Sequence, residues 1–353
     1  MQRQTVDALL PLLPLLQQPA FCIRSNGTIL YNESAKTLSP SCAAALPNWL
    51  GEGNVMYDMW DRTGNLQLPL TVLGRQYSVT LQALQDGTLF LLSPCTVDNP
   101  AVDALFVASQ TLRQPLSDLN SLFQSMPTET DDATSAAAYR QLYRMTRIVS
   151  NLTELTRLNQ PAPHLHFSQT DTGSFLGEFL EETQALIQPS GRTLHITLPK
   201  KTVQFQADEQ LLKRALLNLI SNALKFSPAN SPLRFHVDAI GTHLVFQLEN
   251  DCTDDGSELL RSAFSRLSRR EVLPDPKWGV GLGLPLAHII ARLHGGMVAI
   301  ETNNRKATVS LSVSLRRSEQ PTRLGALVAD YTGGMRQTLL ELSDTLPNDA
   351  YRK

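Results

Sequence analysis

One pairing of features constrains this chain more than any other. Leu211 to Pro228 reads as a helix carrying Asn218, Asn222 and Lys225, and further on the chain runs Gly279-Val-Gly281-Leu-Gly283-Leu284. In the first stretch Leu212, Ala215, Leu216, Leu219, Ala223 and Phe226 form an apolar stripe. At 3.6 residues per turn the two asparagines and the lysine lie on a flanking stripe, roughly 100° round the helix. The helix is therefore buried on one face and offers two amides and an ammonium along its edge. The glycines let backbone approach a ligand with no Cβ in the way. A helix starting near Leu284, with Pro285 in its first turn, has free N–H groups and a dipole that favour phosphate. Each half has a plain reading alone: an amphipathic helix with a polar flank, or a flexible loop. In this order on one chain they point to a nucleotide-binding α/β unit over residues 165 to 315. No βαβ unit with a downstream acid follows the glycines, which argues against a dinucleotide fold.

At 353 residues the chain has room for two or three domains with cores of their own. A net charge of −2 implies no general attraction to nucleic acid or to an anionic membrane. Cys22, Cys42, Cys95 and Cys252 are scattered without a CxxC pair, as expected of free thiols in a reducing compartment. The apolar run Ala8 to Leu16 is too short to span a bilayer, and its prolines and the preceding Asp7 fit a signal peptide poorly. A surface-packed opening helix or turn is expected there. With no other long apolar run, the expectation is a cytoplasmic protein without a transmembrane segment.

Residues 1–95 read as a small mixed α/β domain. Phe21 to Arg24, a Ser25-Asn-Gly27 turn and Thr28 to Tyr31 suggest a hairpin. Gln76 to Leu84 alternates with period two, and an Asp86-Gly87 turn leads into Thr88 to Leu92, a second hairpin signal. After a linker bordered by Pro94 and Pro100, Val102, Leu105, Ser109, Leu112, Leu116, Leu119, Phe123 and Met126 follow one another in steps of three and four and predict one long helix. Leu142, Met145, Val149, Leu152 and Leu155 predict a second over residues 134–159. One such hairpin buries its seam poorly alone, whereas two make a four-helix bundle, so a homodimer is expected. Beyond residue 163, strand and helix signals alternate as in an α/β sandwich. After Arg316 comes a tail with a Gly333-Gly334 break and a short helix from Met335 to Leu342.

Amides and an ammonium along one helix edge suit a hydrated Mg²⁺ and polyphosphate oxygens, because Mg²⁺ takes hard oxygen ligands and keeps several waters. These stretches resemble those of a known family. Leu216-Leu-Asn218-Leu-Ile-Ser-Asn222-Ala-Leu-Lys225-Phe-Ser resembles the N-box of sensor histidine kinases. Trp278-Gly279-Val-Gly281-Leu-Gly283-Leu through Gly296 resembles their second glycine box and the helix after it, and Ala263-Phe264 to Arg269 the short phenylalanine box between. The N-terminal region resembles a PAS-type sensory module. The resemblance implies an ATP-binding domain of the kind shared with gyrase and heat-shock chaperones. On it, Asn222 would bind Mg²⁺, Asn218 and Lys225 would sit beside the phosphates of ATP or ADP, and Gly279, Gly281, Gly283 and Leu284 would border the triphosphate.

The chain departs from the family's pattern in two places. In the first glycine box, Asn250 stands for the aspartate that receives the adenine amino group, and Cys252 and Asp254 stand for glycines. A neutral amide oxygen is a weaker acceptor than a carboxylate. Lys306-Ala307 stands where a glycine usually closes the domain. In the first hairpin helix, Gln110 occupies the position of the phosphorylated histidine and Thr111 that of the acid beside it, and no histidine occurs between residues 101 and 163. A carboxamide cannot act as the imidazole nucleophile. Gln114 sits where relatives place a polar residue that orients water for dephosphorylating a regulator, although a solvent-facing helix glutamine is the plainer reading.

The expectation is thus a multi-domain α+β protein: a PAS-like domain (1–95), a helical hairpin forming a dimeric four-helix bundle (96–162), an α/β-sandwich ATP-binding domain (163–317) and a tail (318–353). Its expected function is that of a two-component signalling protein with histidine self-phosphorylation lost, acting on a response regulator or a partner kinase. The alternatives are phosphorylation of a histidine on a separate protein, and a scaffold that binds no nucleotide.

Overall fold

The computed structural model describes residues 5–38, 45–46, 54–73, 75–94, 116, 119, 132–160, 163–252, 282–303, 305–316 and 334–352. A short helix α1 (Val6–Leu9) precedes the first hairpin, β1 (Ala20–Arg24) and β2 (Ile29–Tyr31). Its turn needs Gly27, whose φ of +83° is a left-handed backbone that side chains disfavour. The apolar opening run makes α1 and a 3-10 turn at Leu13–Leu15, with Leu12 and Leu15 exposed on the surface, as expected. Asn32 caps α2 (Glu33–Lys36) by accepting from the Ala35 N–H at 2.9 Å. Then come α3 (Asn54–Met59), β3 (Asn65–Val72), β4 (Arg75–Ala83) and β5 (Gly87–Pro94). These strands run antiparallel in the order β2-β1-β5-β4-β3, over a core in which Phe21 and Phe90 stack at 4.6 Å.

Helix α4 (Asp132–Leu158) is the second of the two long helices expected from the sequence. The first falls outside the described residues except for Leu116 and Leu119. From there the strand and helix signals fold as read: α5 (Thr172–Ile187), β7 (Leu194–Thr197), α6 (Glu209–Phe226), β9 (Leu233–Ile240), β10 (His243–Asp251), α7 (Gly283–Leu293), β11 (Val298–Asn303) and β12 (Lys306–Ser314). Two short strands, β6 (Ser168–Asp171) and β8 (Gln204–Ala207), pair separately.

The larger strands form one sheet with the N-terminal ones, in the order β2-β1-β5-β4-β3-β11-β12-β10-β9-β7. The pair β7–β9 is parallel and the other neighbours antiparallel. Helices α5, α6 and α7 cover one face of the C-terminal half, and their apolar stripes share a single core with β9, β10, β11 and β12. From α6 alone, Leu212, Ala215, Leu216, Leu219, Ile220 and Ala223 enter that core. Each large aliphatic among them contributes about 1.5–3 kcal/mol by leaving water. On the opposite face, Val245, Met297 and Ala299 join the N-terminal core. The tail returns as α8 (Gln337–Glu341). No helix among the described residues is long and apolar enough to cross a membrane.

Candidate functional site

Helix α6 is the spine of the site, and its start is fixed by hydrogen bonds. Asp208 caps it by accepting from the Leu211 N–H at 3.2 Å, and the other carboxylate oxygen accepts from the His166 N–H at 2.9 Å. The Asp208 N–H donates to His294 Nε2 at 3.0 Å, while His294 Nδ1 lies 2.7 Å from the Ile290 carbonyl. The imidazole is therefore the Nδ1–H tautomer, a bridge from the end of α7 to the start of α6. Burial holds its pKa below the ordinary histidine value, so the neutral ring persists.

At the other end of α7 the two motifs meet. Helix α7 begins at Gly283 with no side-chain cap at Leu282, and among the described residues no side chain caps its first N–H groups. Gly283 packs directly on Asn218, and a methyl group in place of its hydrogen would collide with the Asn218 Oδ1. Glycine is required there for the loop to approach α6 this closely. Gly283 and Asn218 are thus brought together. Gly279 and Gly281 lie outside the described residues, as do Gln110, Thr111 and Gln114.

Asn218 is fully buried, deeper than a flanking edge requires. Its Nδ2 donates to the Arg214 carbonyl at 3.0 Å and to Glu341 Oε2 at 3.2 Å, and its Oδ1 accepts from Arg147 Nη2 at 2.9 Å. Asn222, one turn on, is partly exposed, and its side chain makes no hydrogen bond among the described residues. Lys225 Nζ lies 2.7 Å from Asp344 Oδ2. Burial and the nearby Arg147 lower the Lys225 pKa, with Asp344 opposing them. Burial pushes the Asp344 carboxyl up, but Arg147 and Lys225 outweigh it and hold the group well below the usual carboxylate range.

Asn250 lies near the end of β10, buried, with Nδ2 donating to the Asp251 carbonyl at 2.9 Å and 3.7 Å from Cys252 Sγ. Its register partner on β12 is Ala307, so the two places where the chain departs from the family's glycines and aspartate face each other across one strand pair.

Sequence reasoning missed four residues. Arg214, fully buried on α6, reaches Glu341 Oε1 at 2.9 Å, Ser150 at 2.9 Å and Asn151 at 2.8 Å. Arg147 reaches Glu341 Oε2 at 3.2 Å and Asp344 Oδ2 at 2.7 Å. The signal was present: Arg140, Arg144 and Arg147 recur at helical spacing on α4, and Glu341 and Asp344 punctuate an apolar run in the tail.

Residues 207–317 match the family described as "Histidine kinase-, DNA gyrase B-, and HSP90-like ATPase". The chain is 26% identical over 201 residues to the heme sensor protein HssS of Staphylococcus epidermidis, covering 56% of this chain and 43% of that protein. It is 25% identical over 225 residues to the sensor protein BasS of Salmonella typhimurium, covering 63% of this chain and 61% of that one. The chain thus spans about half the length of these relatives. Among solved structures, full-length ShkA in complex with AMPPNP is 19% identical, with a TM-score of 0.48 over 61% of this chain and 47% of that one. With the N-box helix and the glycine-led helix packed together on one face of a mixed sheet, the chain carries a histidine kinase-, gyrase- and HSP90-like ATPase domain over residues 207–317 and is related to the sensor histidine kinases.

Proposed function

We propose that this chain binds Mg–ATP or Mg–ADP at α6 and the start of α7, and acts in two-component signalling through that binding rather than by phosphorylating itself on histidine. The observation that carries the reading is the seat of Gly283 on Asn218. It sets an uncapped helix start, whose N–H groups favour anions, beside the helix that bears Asn222 and Lys225.

The residues present suit the group. Lys225 and Arg147 supply cationic donors, the first turn of α7 supplies backbone donors, and Asn222 keeps an amide oxygen with no protein partner among the described residues. In this reading Asn222 holds Mg²⁺, Lys225 and Asn218 flank the phosphates, Gly279, Gly281, Gly283 and Leu284 border them, and Asn250 accepts from adenine. When bound, the metal would neutralise phosphate charge. The chain's own part is to position and to exclude water. What it lacks at Gln110 is a nucleophile. Thr111 and Gln114 are proposed to belong to a docking face for a response regulator or partner kinase. The hairpin around them would pair two copies, and the five antiparallel strands with intervening helices would serve as a PAS-like sensor. The proposed divisions are residues 1–95, 96–162, 163–317 and 318–353.

A second reading, a scaffold that binds no nucleotide, draws on the saturation of the Asn218 amide by protein groups. Calorimetry with Mg–ATP on the wild type and on Asn222→Ala separates the two. Binding by the wild type that is lost in the variant supports the nucleotide reading; no binding by the wild type supports the scaffold.

A further inference from the structure

The tail is part of the fold. Met335, Leu339, Leu340, Leu342, Leu346 and Tyr351 are buried. The Tyr351 hydroxyl donates to the Leu339 carbonyl at 2.9 Å, and its ring meets Tyr143 of α4 edge-on at 5.1 Å. Thr338 donates to Glu182 of α5 at 2.8 Å. These contacts lay the segment 334–352 across α6 and α4 and aim two acids inward.

Those acids take the groups that a polyphosphate would need. Glu341, fully buried, accepts from the Asn218 amide, while Asp344 takes the Lys225 ammonium. The same carboxylates bind Arg147 of α4, and Asp344 Oδ1 also receives Arg144 Nε at 3.1 Å. Arg140 adds donations to the Ser343 and Asp344 carbonyls, each at 3.2 Å. Around the tail's two acids stand Arg144, Arg147, Arg214 and Lys225, with Glu154 3.9 Å from Arg214, so the cluster keeps a net positive charge without them. Such a cluster attracts an anion, and here the chain provides one from its own end. The contacts also tie α6 to α4, and therefore the ATPase domain to the helical hairpin.

We propose that segment 334–352 is an autoinhibitory clasp, in which Asp344 and Glu341 occupy the anion-binding groups of the nucleotide site and hold α6 against α4 until a polyphosphate displaces them. The proposal rests on the nucleotide reading of this site and adds its regulation. Displacement is a competition, so nucleotide affinity is reduced by the fraction of chains in which the clasp is closed. The coupling is reciprocal: whatever loosens the tail tightens nucleotide, and nucleotide loosens the tail.

The test is calorimetric titration of Mg–ATP into the full chain as wild type, Asp344→Asn and Arg144→Gln. Asp344→Asn removes the charge that competes for Lys225, and affinity rises by about tenfold, a typical allosteric coupling. Arg144→Gln weakens the hold on Asp344 without touching α6, and affinity rises by a smaller factor. Arg144 is also a third exposed, so this variant decides the matter if Asp344→Asn fails to fold. Equal or weaker binding by both variants than by a wild type that binds overturns the clasp and leaves the nucleotide site standing. Binding by none of the three overturns both.

Discussion

The ATPase sheet is gripped on two sides by different physics. At its edge, β11 pairs with β3, aligning Ile300 with Gln67, Glu301 with Leu66 and Thr302 with Asn65. Val245, Met297 and Ala299 behind it are buried with the N-terminal core. This seam is chiefly backbone ladder and apolar surface. On the helical face, the tail adds to its apolar burial a set of buried ion pairs to α6 and α4, among them Arg214–Glu341 and Lys225–Asp344. Apolar burial has no specific competitor. A buried ion pair does, because its desolvation cost is already met and a stronger anion can replace the protein's own. The difference assigns a permanent attachment to the seam and a replaceable one to the clasp.

Breaking the clasp from within has the largest effect on stability. Arg214→Met leaves Glu341 buried with only part of its compensation, and unfolding free energy falls by about 3–5 kcal/mol. Chemical denaturation reads this. Adding Glu341→Leu on the same background recovers most of the loss, because paired removal replaces ions by apolar contact. A double variant no more stable than Arg214→Met would mean that the pair is not the source.

Breaking the seam comes next. Gly64 lies just before β3, and a side chain there runs into the Thr302 carbonyl. Gly64→Val destabilises by about 1–3 kcal/mol through overpacking. It also loosens the seam while nucleotide affinity stays unchanged, which sharpens the contrast with Asp344→Asn.

The seam has a pH dependence near neutrality. Burial first, then a hydrogen bond and charge from Asp61, push the Glu301 carboxyl up to about 7. A raised folded pKa means that the folded state holds the proton more tightly. The contribution is complete below the ordinary value of 4.5 and is lost as pH rises through about 7. Thermal melts from pH 5 to pH 8 should show a falling Tm component in the wild type that Glu301→Gln removes. The sign is opposite for Asp344, whose depressed pKa makes its contribution vanish only in strong acid. The smallest effect belongs to the surface: Arg234 and Lys306 both reach Glu249 near water, and Glu249→Gln costs about 0.2–1 kcal/mol.

How much of this was legible in the sequence depended on whether a signal was local. The α6 stripe, the β9–β10 hairpin and the glycine-led start of α7 follow from period and turn chemistry, and they were read. Strand β3 was not, because Pro69 interrupts Asn65-Leu-Gln-Leu-Pro-Leu-Thr-Val, and proline demotes a strand. The structure tolerates it because past Gln67 the strand pairs only with β4, leaving Pro69 on an open side. The N-box was found as a pattern, yet the partners of Asn218 were not, because Arg147 and Glu341 are 71 and 123 residues away in the chain. Period reveals which face of a helix is buried; it does not reveal what a buried arginine reaches.

The contrast between a fixed seam and a replaceable clasp is tested most directly by hydrogen exchange on the full chain, with and without Mg–ATP. With nucleotide, amides of 334–352 should exchange faster, those of α6 and the start of α7 more slowly, and those of β3 and β11 at an unchanged rate. A tail that keeps its protection while β3 and β11 loosen would contradict it.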